Sequence, residues 1–262
     1  MIDRGQRPNY SFIREMVADN LAGKGPKVRI MMDREGRQIL NLSGYNFLIN
    51  PQFHLDSLYH VFFEQWFPEK DLSGYEVIDI GAYTGDTAIY FASKGAKVHA
   101  YEPVPEVYAM MQRNIELSGL QNAILTYRCA ISETQTSTMW VDTRTYEGSS
   151  LLADAEDTLR TRAKIQVQSA TIRDALAKCG LQSKKLLKMN CEGCEFTIIT
   201  ESNGELLKNF HTILCFYHPH LTGIPKETLI KVLQESGFEV DVKDSQLLLI
   251  ACKPEEHVIA RQ

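Results

Sequence analysis

Val77-Ile78-Asp79-Ile80-Gly81-Ala82-Tyr83-Thr84-Gly85-Asp86-Thr87 begins as an apolar run, ends that run on an acid, turns at a glycine and opens onto helix-forming residues. At the carboxyl end of a strand in an open α/β sheet, a turn of this kind lets the backbone approach a ligand closely. The spacing is G-x-x-x-G and lacks the middle glycine of G-x-G-x-x-G, the one that admits a pyrophosphate. A dinucleotide is therefore disfavoured, and with it a nicotinamide-dependent dehydrogenase. Twenty-one residues after Gly81, a second strand-like run ends at Tyr101-Glu102-Pro103. An acid at that place can accept hydrogen bonds from both hydroxyls of a ribose. The two features together point to a nucleoside-type ligand.

On either side of this stretch the chain alternates between strand and helix patterns, which argues a parallel sheet covered by helices on both faces. Strands are expected at 76–80, 97–101, 123–129, 185–189 and 212–217, and helices at 86–94, 105–118, 194–201 and 225–236. Strand-like pieces at 137–141 and 164–168 interrupt the alternation, separated by a long loop at 142–163. At the end of the chain, 237–240 and 246–250 flank Lys243-Asp244-Ser245. That is a hairpin, which inserts an antiparallel strand into an otherwise parallel sheet. Upstream, a helical segment at 11–21 is followed by a hairpin of 27–32 with 37–42. A helix is then expected over 52–66, with Phe53, Leu55, Leu58, Tyr59, Phe62, Phe63 and Trp66 at helical spacing. Residues 1–69 read as a hairpin-and-helix cap, and residues 70–262 as the main α/β domain.

Composition narrows the classes. The chain has 262 residues, 44% of them hydrophobic, with 28 Lys+Arg against 33 Asp+Glu for a net charge of −5. This is ordinary globular composition without the basic surplus of a nucleic-acid-coating protein. The longest apolar runs are about six residues, against the ~20 that a membrane helix needs. With no apolar segment near Met1 to mark a secretory signal, a cytoplasmic protein is expected. Six cysteines (Cys129, Cys179, Cys191, Cys194, Cys215, Cys252) do not form a disulfide framework in a chain this long. Cys191-Glu192-Gly193-Cys194 is a C-x-x-C without a second pair at zinc spacing, so no metal is expected and the two cysteines read as reduced packing residues.

Four segments carry a family resemblance: Asp79 to Thr87, Tyr101-Glu102-Pro103-Val104-Pro105-Glu106, Asn114-Ile115-Glu116-Leu117, and Leu187-Lys188-Met189-Asn190-Cys191-Glu192-Gly193-Cys194-Glu195. Together they resemble the successive signatures of FkbM-type S-adenosylmethionine-dependent methyltransferases over roughly residues 75 to 220. The resemblance implies a class I, Rossmann-like sheet of seven mostly parallel strands, in agreement with the hairpin read independently at the end of the chain. It implies S-adenosyl-L-methionine as cofactor, bound by the loop Asp79, Gly81, Ala82, Tyr83, Thr84, Gly85, Asp86 and Thr87. Asp79, Gly81 and Gly85 would lie along its methionine part, Glu102 and Pro103 at the ribose, and Ala130 and Ile131 beside the adenine. The acceptor implied is a hydroxyl on a small molecule, sugar or polyketide-type compound or glycan.

Methyl transfer from a sulfonium is an in-line displacement, favoured by holding the nucleophile close and aligned. An alcohol acceptor must also lose its proton to a group within reach. His218, Glu192 and Asn190 stand at the strand ends where such a group is needed. His218 also reads plainly as a strand-end histidine satisfied by backbone and Glu192 as a first-turn helix acid, while the nearby Glu195 reads as helix structure. The FkbM pattern usually has Asp where Asn190 stands, which replaces a possible base or cation ligand by a neutral donor and acceptor. Asn190 leaves room for nitrogen or macromolecule methylation. With Phe216, which stands where the pattern often has Glu, it also leaves room for a cofactor-binding module without turnover. Oligomeric state is not set by the sequence.

Overall fold

The computed structural model describes residues 7–254, except 65, 68–70, 134, 144–145, 147–148, 153–161 and 202–203. Helix α1 (Arg7–Leu21) leads into strands β1 (Val28–Met32), β2 (Gln38–Leu42) and β3 (Tyr45–Leu48). The three strands form an antiparallel sheet in the order β1-β2-β3. β1 and β2 are the expected hairpin, with Val28 opposite Leu42. β3 was not anticipated, because its pattern is short and lies beside the Ser43-Gly44 turn, where both residues have positive φ. Helix α2 (Asp56–Phe62) is shorter than the expected 52–66. Asn50 and Pro51 form a turn that closes through Phe53 N–H to Asn50 O, so the helix starts only at Asp56.

The main sheet follows. Strand β4 (Tyr75–Ile80), helix α3 (Asp86–Ser93), strand β5 (Lys97–Tyr101), helix α4 (Pro105–Leu117) and strand β6 (Ile124–Tyr127) are the first units. β4 is buried along its whole length, as expected of a strand covered on both faces. Short β7 (Ala130–Ile131) and the pair β8 (Thr136–Asp142) and β9 (Arg162–Ala170) form a separate three-stranded sheet, order β7-β9-β8. The expected strand pieces at 137–141 and 164–168 therefore pair with each other, Met139 opposite Ile165. Helix α5 (Ile172–Ala177) was not anticipated, although Thr171 and Asp174 build a reciprocal capping box at its start. Strand β10 (Lys184–Met189), helix α6 (Cys194–Glu201), strand β11 (Thr212–Phe216), a single helical turn α7 (Pro219–Thr222), helix α8 (Lys226–Glu235) and strands β12 (Glu239–Lys243) and β13 (Leu248–Cys252) complete the chain.

The seven-stranded order is β12-β13-β11-β10-β4-β5-β6. β11, β10, β4, β5 and β6 run parallel to their neighbours, and β13 enters antiparallel between β11 and β12. This is the seven-stranded class I methyltransferase arrangement that the resemblance implies, with the antiparallel strand expected from the terminal hairpin. One core fills the face shared by α3 and the cap, joining Met16, Leu40, Phe47 and Leu58 to Val77, Ile89 and Val98. A second core lies on the other face, around Ile78, Leu187, Phe196, Ile213 and Leu229. The carboxyl ends of β4, β5 and β10 open between the cap and the β8–β9 sheet, and a cavity of about 450 Å³ lies there.

Candidate active site

The glycine loop forms one wall of the cavity. Gly81 sits at φ +70°, and a Cβ there would collide with the Asn190 carbonyl oxygen, so the β4 and β10 loops can touch only through glycine. Gly81 and Ala82 both donate their N–H to Tyr101 O, which ties the β4 turn to the end of β5. Gly85 caps α3 in the left-handed region. Tyr83 is also left-handed, at φ +47°, and its N–H reaches Glu102 Oε2 at 3.2 Å. Glu102 Oε1 accepts from Val104 N–H at 2.9 Å. Burial outweighs these two hydrogen bonds and pushes the Glu102 carboxyl up to about 8.

Of the residues expected at the cofactor, Gly81, Tyr83, Asp86, Thr87, Glu102, Pro103, Ala130 and Ile131 line the cavity. Asp79, Ala82, Thr84 and Gly85 stand behind the wall and shape it. Asp79 is fully buried; its Oδ2 accepts from Thr87 Oγ1 at 2.6 Å and its Oδ1 pairs with Lys188 Nζ at 2.9 Å. It anchors the residues that face the cavity instead of facing it. Thr84 O is held by Asn114 Nδ2 at 2.9 Å, and Asn114 Oδ1 accepts from Leu48 N–H, so one side chain joins the loop to the cap.

The second cluster follows β10. Asn190 and Glu192 are on the cavity wall, and His218 stands behind Glu192 with its Nε2 3.5 Å from Glu192 Oε1. His218 Nδ1 meets Glu195 Oε1 at 3.2 Å. Burial opposes the charged imidazole, but the hydrogen bond to Glu195 and the charges of both glutamates prevail and hold His218 above its ordinary value. Glu195 is fully buried and accepts from Cys191 N–H and Gly193 N–H, both at 2.7 Å. It therefore fixes the 191–194 turn as well as the histidine, which goes beyond simple helix structure. Glu192 is left-handed at φ +55° and Ser150 Oγ donates to its carbonyl at 2.5 Å, bringing the β8–β9 loop onto the site. Ser149 and Leu151 of that loop line the cavity; Gly148 lies outside the described residues.

Two features were missed in the sequence. Cys191 and Cys194 are joined by a disulfide, which corrects the reading of both as reduced packing residues. The positive φ of Glu192 and Gly193 folds the turn back on itself and brings the two sulfurs together. The cap also contributes a histidine. His60 of α2 lines the cavity, with its Nδ1 2.6 Å from Glu64 Oε2 and its ring stacked on Trp66 at 4.1 Å. Trp66 Nε1 donates to the same Glu64 oxygen and its ring leans on Phe216. The i,i+4 spacing of His60 and Glu64 was the available signal. Cys129, Cys179, Cys215 and Cys252 are free thiols.

A family model described as Methyltransferase FkbM domain matches residues 79–240. The chain belongs to the FkbM methyltransferase family. It is an S-adenosylmethionine-dependent methyltransferase. Methyltransferase sdnD of Sordaria araneosa is 24% identical over 195 residues, covering 63% of this chain and 73% of that protein. Among solved structures, an S-adenosylmethionine-dependent methyltransferase from Agrobacterium tumefaciens aligns at TM-score 0.41 and 13% identity, over 83% of this chain and 70% of that one. A putative rRNA methylase from Clostridium thermocellum aligns at TM-score 0.41 and 10% identity, over 69% and 86%.

The cavity of this FkbM methyltransferase fits the cofactor. A buried carboxyl at the end of β5 faces it beside a backbone cradle that a Cβ at Gly81 would fill. Each Glu102 oxygen accepts one backbone N–H and keeps a lone pair for a ribose hydroxyl. Among the described residues, one group of three metal-type side chains is close-set: Glu76, His99 and Cys179. Glu76 lies near the start of β4, away from the carboxyl ends that form the cavity. There His99 Nε2 meets Glu76 Oε2 at 2.7 Å and Gly180 N–H donates to Glu76 Oε1, so the group's hydrogen bonds are satisfied within the protein.

Proposed function

We propose that this methyltransferase methylates a hydroxyl of a small-molecule or glycan acceptor held between the cap and the carboxyl edge of the sheet. The observation that carries the reading is the Glu192 carboxylate on the cavity wall, backed by His218 and Glu195. S-adenosylmethionine supplies the methyl group. The chain must hold the acceptor oxygen in line with the methyl and take its proton. Glu192 accepts that proton at the wall, and His218, neutral above its raised pKa, draws it on through Nε2. Glu195 keeps the imidazole aligned. Asn190 offers the acceptor a neutral donor and acceptor, while Trp66, Phe67 and Phe216 present apolar faces to its carbon skeleton.

A nitrogen acceptor is the second reading, favoured by Asn190, which can orient an amine that needs no strong base. No helix among the described residues is long and apolar enough to cross a membrane. A cytoplasmic setting belongs to this proposal, and there the Cys191–Cys194 bond would be exposed to cellular thiols.

The test is calorimetric titration with S-adenosylmethionine, S-adenosylhomocysteine and NAD, followed by S-adenosylhomocysteine release over a panel of hydroxyl and amine acceptors. The reading expects binding of the sulfur nucleosides but not NAD, turnover on a hydroxyl acceptor, and a loss of about a hundredfold in Glu192→Gln. Turnover on amines only would select the second reading. Cofactor binding with no turnover on any acceptor would favour a binding module.

A further inference from the structure

The C-x-x-C run is a motif that the proposed chemistry leaves unused, and it stands on the cavity wall. Cys191 and Cys194 are joined as a disulfide, both are half-buried, and both line the cavity. Glu192, between them in the chain, lines the same wall. Its backbone is left-handed at φ +55°, and that of Gly193 follows at φ +109°. A glutamate keeps so strained a conformation only where its surroundings impose it. Among the described residues, three tethers do so. Glu195 holds Cys191 N–H and Gly193 N–H, Ser150 Oγ holds the Glu192 carbonyl, and the disulfide joins the two ends of the turn. The first two are hydrogen bonds to backbone, whereas the third is a covalent bond that a thiol can open. A disulfide that served stability alone would gain most by closing a long loop, and this one joins residues only three apart.

We infer that Cys191–Cys194 is a reversible thiol–disulfide site whose oxidised form sets the Glu192 carboxylate on the cavity wall. The reagent it takes is a small thiol of the glutathione class, since the two cysteines face a cavity of about 450 Å³. In the cytoplasmic setting proposed above, such thiols are abundant and bonds of this kind are transient. The thiolate of one reagent molecule attacks Cys191 Sγ and expels Cys194 as thiolate. A second attacks the reagent sulfur of the mixed disulfide and frees Cys191. Two electrons and two protons pass to the pair, and the reagent leaves as its own disulfide. Cys194 is the first residue of α6, where the peptide dipoles favour the departing negative charge. Once the bond is open, the strain at Glu192 draws the turn out of the left-handed region, and the carboxylate leaves His218 Nε2, from which it stands 3.5 Å in the closed turn. Glu195 stays on His218 Nδ1 and on the backbone, so the fold persists. The inference rests on the reading of Glu192 as proton acceptor, and it makes turnover a property of the oxidised enzyme.

The experiment equilibrates the wild type with graded mixtures of reduced and oxidised glutathione. Alkylation and peptide mass spectrometry read Cys191 and Cys194, and NMR titration follows the His218 imidazole at both ends of the series. His218→Gln assigns that resonance, which belongs to a ring set among Glu192, Glu195 and the His220 ring. The pair is expected to pass from disulfide to dithiol within the series. Opening it should lower the His218 pKa by as much as Glu192→Gln does in the oxidised enzyme, because both take the Glu192 charge away from the imidazole. In Glu192→Gln itself, opening the bond should leave His218 unmoved. Cys191→Ser with Cys194→Ser should titrate as the reduced wild type does; should that variant fail to fold, the reduced wild type carries the comparison. Turnover on an acceptor found in the panel above should fall about tenfold on reduction. The site is overturned if the pair stays bonded in reduced glutathione and dithiothreitol alike, or if it is open in oxidised glutathione. It is overturned as well if reduction shifts His218 equally with and without the Glu192 carboxylate. Glu192→Gln turning over as fast as the wild type, with the redox dependence of His218 intact, would sink the proton-acceptor reading and leave the redox site standing.

Discussion

Glu102, proposed to bind the ribose, carries a cost to the free protein. Its carboxyl is buried against two backbone N–H groups and pushed up to about 8. In the unfolded chain it titrates near the ordinary glutamate value of 4.5. Between these values the folded protein holds a proton that the unfolded chain has lost, so this group's contribution to stability falls as pH rises from about 4.5 to about 8. Glu102→Gln removes that pH dependence. The variant should melt higher than the wild type at pH 8 without cofactor, and should bind S-adenosylhomocysteine about tenfold or more weakly, because an amide NH2 replaces one of the two carboxyl oxygens that the ribose hydroxyls need. Thermal melts with calorimetry check both, and equal melting at pH 8 would remove the burial account. His218, whose pKa is also raised, matters here for turnover: the proposed acceptor form builds up as pH rises. Turnover should climb with pH through that value, and His218→Gln should flatten the climb. The place of Glu102 on the cavity wall was legible in the sequence because the end of β5 was. Lys188 was not, since a lysine inside an apolar strand gives no sign of which way it turns. His60 was hidden in a helix that read only as an apolar stripe.

At the scale of elements, the parallel strands were the most legible part. β5 runs over 97–101 and α6 over 194–201 as expected, because burial on both faces imposes continuous apolar runs and each helix begins at a defined turn. What escaped were elements set by hydrogen-bonded pairing and not by an apolar pattern. β3 exists by pairing with β2, and the 191–194 turn exists through Glu195, whose two oxygens hold Cys191 N–H and Gly193 N–H. That turn has two fasteners, and their weights can be separated. Closing so short a loop by a disulfide is worth about 2 kcal/mol on the chain-entropy account. Removing a buried carboxylate strands two backbone donors at about 1–3 kcal/mol each and leaves His218 without its partner. Glu195→Ala should therefore lower the melting temperature more than Cys191→Ser with Cys194→Ser, and should also bring the imidazole pKa of His218 down toward its ordinary value. Thermal melts and an NMR titration of His218 measure the two effects. A double cysteine variant melting below Glu195→Ala would make the disulfide the main fastener.

For the whole molecule, the relation of the cap to the sheet decides how the site is built. The core on the α3 face does not stop at the end of the cap: Met16, Leu40, Leu42, Phe47 and Leu58 pack in the same cluster as Val77, Ile89, Phe91 and Val98. Asn114 adds polar ties, to Leu48 N–H in the cap and to Thr84 O in the glycine loop, and Asn46 Nδ2 reaches Leu117 O of α4. A shared core of this kind makes the cap part of one cooperative unit, and it fixes His60, Asp56 and Ser57 on the cavity that the glycine loop also lines. Phe47, buried and set edge-on against Phe62, is the probe. Phe47→Ala should cost about 3–5 kcal/mol, and the loss should appear as one unfolding transition at a lower midpoint. Far-ultraviolet dichroism, which follows the sheet, and the fluorescence of Trp66 in a Trp140→Phe background, which reports the cap, should move together. Two separated transitions, with the Trp66 signal leaving first, would mean that the cap docks on a sheet stable without it, and the acceptor site would then form only when the cap is down.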